Sequence, residues 1–250
     1  MVWRRRIDTL LTSLEASSPT PAARTDLPSE IVGLAERSGA SPVAGSRIVK
    51  LSQRGEMWQR PKRAPLAFTA NQIITVGDIG FLWHARFSLM GISTLKVVDY
   101  LVGREGGLEG AMFGVLPVMN VAATDETFRG QAMRYLGELM WNPDAILFNP
   151  HLQWRITNSR TLSVAAGDGP RQCEIRLLLD QSGDAVRFEA DDRPRLEGST
   201  FTRSAWFGRC WDYRTIGGRR IPIGADAGWM VQGKEFIYWR GKIENWHAEH

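Results

Sequence analysis

Alternation of apolar and polar residues dominates the chain from Ser46 onward. In "QCEIRLLLD", Gln172, Glu174 and Arg176 alternate with Cys173, Ile175 and Leu177, the period of a strand with one buried and one wet face. Similar stretches precede it ("SRIVKLSQRGEMW", "PLAFTANQIITV", "GFLWHARFSL", "TLKVVDYLVGR", "LEGAMFGVL"). Others surround or follow it ("LQWRIT", "TLSVAAG", "AVRFEAD", "TRSAWFGRCWDY", "RRIPIGADAGWMV", "EFIYWRGKIENW"). Short Gly, Pro and Asp clusters separate them, as hairpins require. Between the two series the period lengthens. From Thr124 to Trp141, Phe128, Ala132, Tyr135, Leu136 and Leu139 recur at helical spacing, with Gln131, Arg134 and Glu138 as a polar stripe beside them. Thr124 suits a cap, Asp125 and Glu126 suit the first turn, and Pro143 supplies a stop.

Two helical segments precede the strands. Ile7 to Leu14 is amphipathic and "LPSEIVGLAERSG" carries helix start and stop signals, with the Ser- and Pro-rich "SSPTPAART" expected as a flexible linker between them. So many antiparallel strands without alternating helices exclude a doubly wound α/β fold. A sheet of this length must curl, and its concave apolar face must then be covered. The expectation is a mainly β (α+β) protein, a highly curved antiparallel half-barrel with helices covering the concave face. Residues 1–26 form an N-terminal amphipathic segment and linker, 27–246 a single half-barrel domain including the central helix 124–141, and 247–250 a frayed tail.

Composition adds a pocket to this picture. Ten tryptophans in 250 residues suit pleated sheet faces and apolar cavities alike. The net charge of +4 comes from arginines scattered among acids, a solvated surface rather than a nucleic-acid face. Cys173 and Cys210 make no disulfide framework. The first residues lack a signal-peptide core and no apolar run is long enough for a membrane span, so the expected location is cytoplasmic. "AMFGVLPVMNVAA", Ala111 to Ala123, reads as a pliable apolar flap whose Met112 and Met119 adapt to ligand shape. Trp3 to Leu14 offers a surface for a homodimer.

The string "RYLGELMWNPDAIL", preceded by "FTANQ", "GFLW" and "DYLVGR" and followed by Tyr213, "GGRRIP" and "FIYW", resembles an uncharacterised bacterial family, a domain of unknown function of the 6544/6920 type. The resemblance runs from about Leu27 to Trp246. It implies no activity and no catalytic residues. Its strand-rich layout is similar to the half-barrels of lipoprotein carriers and related periplasmic lipid binders, in which helices plug a concave apolar sheet.

Motifs for specific chemistry are absent. His84, His151, His247 and His250 form no ligand set, and no HExxH, CxxC or G-x-S-x-G spacing occurs. "GREGGLEG" is a turn between strands rather than a phosphate loop. No metal and no cofactor are expected. What remains is the polar stripe. Arg134 and Glu138 are either an exposed i,i+4 pair or the roof of a cavity, with His84, Asp99, Tyr100 and Tyr213 opposing them. The ligand-binding set is then Arg134, Trp141, Tyr100, Tyr213, Trp83, Trp229, Tyr238, Met112 and Met119. The leading expectation is a binder of an apolar or amphipathic small molecule. The alternative is a cofactor-independent hydrolase, isomerase or cyclase using Glu138, Asp99 or His84 as acid or base. A third reading makes the covered face solid core and the protein an interaction module.

Overall fold

The computed structural model describes residues 2–16, 22–89, 92–113 and 116–250. The first five residues of the expected linker, 17–21, lie outside them. Two helices come first, α1 (Val2–Ala16) and α2 (Ser29–Arg37). A first series of hairpins follows: β1 (Ile48–Met57), β2 (Leu66–Thr75), β3 (Phe81–Leu89), β4 (Ile92–Val102), β5 (Glu105–Met112) and β6 (Leu116–Val121). After a helical connection, α3 (Asp125–Gly137) and α4 (Asp144–Phe148), the second series is β7 (Gln153–Asn158), β8 (Thr161–Ala166), β9 (Cys173–Leu179), β10 (Ala185–Glu197), β11 (Thr200–Ile216), β12 (Arg219–Val231) and β13 (Lys234–Glu249).

The first and last strands pair along their length, Ile48 with Glu249 through Met57 with Trp239. This joins the two series into one thirteen-stranded antiparallel sheet, ordered β6-β5-β4-β3-β2-β1-β13-β12-β11-β10-β9-β8-β7. One consequence places the site. The two free edges, β6 and β7, are neighbours in sequence, so the chain between them must travel from one edge of the curved sheet to the other. It does so across the concave face, as α3 and α4.

Thr124 caps α3, its side chain accepting from Thr127 N at 3.1 Å. Lying inside the bowl, α3 is buried on more than its expected apolar stripe: Thr127, Arg129, Gln131 and Gly137 are buried too. Nor does it run unbroken to Trp141. It ends at Gly137 and tightens into a 3-10 turn over Leu139–Trp141. There the Trp141 indole donates to Pro222 O at 2.9 Å and Trp141 O accepts from the Trp246 indole at 2.8 Å, which draws the chain down onto β12 and β13.

Two other expectations are corrected. Much of the segment Ala111 to Ala123 is a strand rather than a flap: β6 pairs with β5 despite Pro117, which an edge strand tolerates. Its Gly114 and Val115 lie outside the described residues. Of the expected tail, residues 247–249 continue β13 and pair with β1, and His250 Nδ1 lies 3.1 Å from Gly45 O. On the convex side, Leu10 and Leu14 of α1 pack on Leu82, Val98 and Tyr100, so this chain's own sheet covers the apolar face expected to meet a second subunit. Among the described residues no helix is long and apolar enough to cross a membrane.

Candidate functional site

Between the concave face and α3 lies a cavity of about 580 Å³. Aromatic side chains from both series of strands line it. Trp83 and Trp239 line it and both pack on the buried Phe68, edge-on at 5.7 Å and stacked at 6.0 Å, and Trp239 in turn meets Trp141 at 6.3 Å. Opposite, Phe188 packs on Trp206 at 4.6 Å and Trp229 stacks on Tyr238 at 5.8 Å. Large rings on a concave sheet cannot interdigitate with a single helix everywhere, and apolar space remains between them.

A polar network crosses this surface. Arg134 Nε donates to Glu138 Oε1 at 2.8 Å and Arg134 Nη1 to Asp99 Oδ2 at 2.5 Å. Glu138 Oε2 accepts from Gln72 and Asp99 Oδ1 from Gln131. Behind Gln72 stands Gln53, whose Oε1 accepts from the Trp83 indole at 2.9 Å. The guanidinium centre lies 4.6 Å from the Phe81 ring and 5.2 Å from that of Trp83. With side chains only 17% and 11% exposed, Arg134 and Glu138 are not a surface pair.

One guanidinium faces two carboxylates and cannot neutralise both. Burial pulls Arg134 down, but Glu138 and Asp99 together outweigh it and leave it raised. Burial pushes the Glu138 carboxyl up, against the opposing pull of Arg134 and Gln72, and Asp99 adds to the rise. The folded state thus holds the Glu138 proton more tightly than the unfolded chain. Stability attributable to this group falls as pH rises from about 4.5 toward the raised value and levels off above it. In urea melts across that window, Glu138→Gln is expected to gain on the parent protein as pH rises. A parent that gains on the variant would mean that pairing with Arg134 outweighs burial.

Of the residues singled out in the sequence, Arg134, Glu138, Asp99, Trp83, Trp141, Trp229, Tyr238 and Met119 line the cavity. His84, Tyr100, Tyr213 and Met112 do not. His84 alternates with Trp83 and Ala85, which are buried in the core, and so faces the convex side. There burial, with Arg86, lowers its pKa. Tyr100 takes the face opposite to its neighbour Asp99 and accepts from Arg6 at 2.9 Å. The Tyr213 hydroxyl donates to Ala185 O at 2.6 Å. Met112 is 41% exposed near the β5–β6 turn.

Arg193 was not foreseen. In an unbroken strand, Phe188 and Arg193 would face opposite sides, yet both line the cavity. A bulge between Ala190 and Arg193, opposite Trp206 and Ser204, inserts one residue and reverses the alternation. Among the described residues no three His, Cys, Asp or Glu side chains gather as a metal site.

No curated protein matches the chain. Among solved structures it is similar to an outer membrane lipoprotein-sorting protein domain from Vibrio parahaemolyticus, at 11% identity and a TM-score of 0.51 over 88% of this chain and 91% of that one. That likeness is one of fold. A LolA superfamily protein from Nitrosomonas europaea overlays at 12% identity and a TM-score of 0.47, covering 93% of this chain and 95% of that one. A DUF1329 family protein from Desulfovibrio piger does so at 9% and 0.45, covering 87% and 91%. The model of a family of unknown function, DUF6544, matches residues 17–241, nearly the whole chain, and the protein belongs to that family.

Proposed function

We propose that this protein binds an apolar or amphipathic small molecule between its curved sheet and α3. The observation that carries the reading is the cavity itself. Its volume of about 580 Å³ lies within the range of roughly 300–1,000 Å³ typical of ligand pockets, whereas a solid-core interaction module would have filled it. The fold shared with the Vibrio sorting domain supplies the architecture and leaves the cargo open.

The enzymatic alternative needs a carboxylate free to exchange a proton with substrate. Both oxygens of Glu138 and both of Asp99 already accept hydrogen bonds from Arg134, Gln72 or Gln131. Such saturation favours a binder over a catalyst.

Native mass spectrometry of protein from its own host, compared with the denatured mass, is expected to show a retained small molecule. Ala227, buried in the cavity wall on β12, provides the second arm. Ala227→Trp fills the space and should weaken an apolar fluorescent probe by at least about tenfold. No retained mass, together with equal probe binding by both proteins, would sink the reading.

A further inference from the structure

The cavity's charged groups are paired, with one exception. Arg134 is held by Asp99 and Glu138. Glu126 pairs with Arg203 at 2.9 Å, Arg195 with Glu197 at 3.5 Å, and Asp226 with Arg209 at 2.9 Å. Arg193 has no carboxylate within 4.0 Å among the described residues. It is nevertheless firmly placed. Nε and Nη2 donate to Gly130 O of α3 at 3.2 and 3.1 Å, and Nη1 donates to the Tyr238 hydroxyl at 3.2 Å. Its guanidinium centre sits 4.3 Å from the Trp206 ring centroid and 5.3 Å from that of Trp229. Aromatic neighbours favour the cation without neutralising it. A guanidinium carries five N–H groups, so these bonds leave donors on Nη1 and Nη2 without an acceptor.

Tyr238 makes the shortage of acceptors worse. Its oxygen accepts from Arg193 and from the Trp206 indole, both at 3.2 Å, which occupies both lone pairs. Its own O–H must therefore donate elsewhere, and no acceptor for it occurs among the described residues. A fixed, uncompensated cation and an unspent hydroxyl proton sit at one wall of an apolar cavity. Both residues are half-buried, so a ligand can reach these donors. An anionic oxygen cluster would satisfy them together.

Resting on the cavity reading above, we propose that Arg193 and Tyr238 receive the anionic head group of a single-chain acidic amphiphile, whose tail fills the space between the aromatic walls. Arg134, whose charge is already opposed by two carboxylates, is not the anion receptor. The bulge between Ala190 and Arg193 is what turns this cation inward.

The test compares three probes with one tail and different heads: dodecanoate, 1-dodecanol and dodecyltrimethylammonium. Each is titrated calorimetrically as monomer at about pH 8, where the carboxylate is ionised. The parent protein is expected to bind dodecanoate about 10- to 100-fold more tightly than dodecanol, with the ammonium probe weakest. Arg193→Gln should bring the dodecanoate-to-dodecanol affinity ratio to about one. Arg193→Lys, which keeps the charge but not the planar fork, should leave an intermediate ratio, and Tyr238→Phe should lower it by a few-fold. Because the parent series needs no variant, a misfolded Arg193→Gln would not spoil the test. If dodecanol binds as well as dodecanoate, or if the ratio survives Arg193→Gln, the anion assignment falls and the cavity reading stands. If none of the three probes binds, both fall.

Discussion

Replacing Arg134 with methionine is expected to destabilise the protein by about 3–5 kcal/mol, the cost of removing one partner from a buried charge pair. Methionine keeps an apolar stem over Phe81 and Trp83 but removes the N–H groups that satisfy Glu138 Oε1 and Asp99 Oδ2. The two carboxylates, 11% and 14% exposed, would keep only the amides of Gln72 and Gln131. An exposed i,i+4 pair would lose only a few tenths of a kcal/mol, so urea denaturation separates the two cases by an order of magnitude. Neutralising the carboxylates as well, in Arg134→Met/Asp99→Asn/Glu138→Gln, should recover more than half of the loss, because no buried charge is left unpaired. A loss below about 1 kcal/mol in the single variant would mean that water reaches the network.

The i,i+4 spacing of Arg134 and Glu138 is the same on a surface helix and on a roof. What distinguishes them is the pairing of β1 with β13, which makes β6 and β7 the two edges and sends α3 across the bowl. No local pattern reports a contact between residues as far apart as Ile48 and Glu249. The same long-range pairing turned the expected tail into strand. Local rules worked where the cause was local: Thr124 caps α3, and "QCEIRLLLD" alternates as β9 with Cys173, Ile175 and Leu177 buried. One error was avoidable, since strand neighbours face opposite sides. Asp99 and Tyr100 were never both available to one cavity, nor were Trp83 and His84. Arg193 was out of reach for the opposite reason. Strict alternation points it outward, and the sign in "RFEADDRPR" of the bulge that reverses it is Pro194, a residue that strands confine to edges and bulges, which does not say where the extra residue sits.

Asp144→Ala is expected to cost about as much as Arg134→Met, about 3–5 kcal/mol, while leaving the dodecanoate-to-dodecanol ratio unchanged. Asp144 belongs to the same string, "RYLGELMWNPDAIL", but stands away from the cavity, at the start of α4 and 1% exposed. Its carboxylate accepts from Ser46 N at 3.0 Å, Ser46 Oγ at 2.7 Å, and Arg219 Nε and Nη2 at 2.7 and 3.1 Å. It therefore clips three distant segments together: the approach to β1, the beginning of α4 and the first residue of β12. Alanine would leave the Arg219 guanidinium, 13% exposed, without its carboxylate and the buried Ser46 N–H without an acceptor. Asp144→Asn keeps one acceptor oxygen and should lose less. Arg219→Met in the Asp144→Ala background should add little, since the pair is already broken, and that non-additivity identifies the clip in a double-mutant cycle. Additive losses would instead mean that each residue stabilises the fold through other contacts. A changed head-group ratio in Asp144→Ala would show that closing the back of the fold also sets the geometry of the cavity, so that one string both fastens and shapes the binding site.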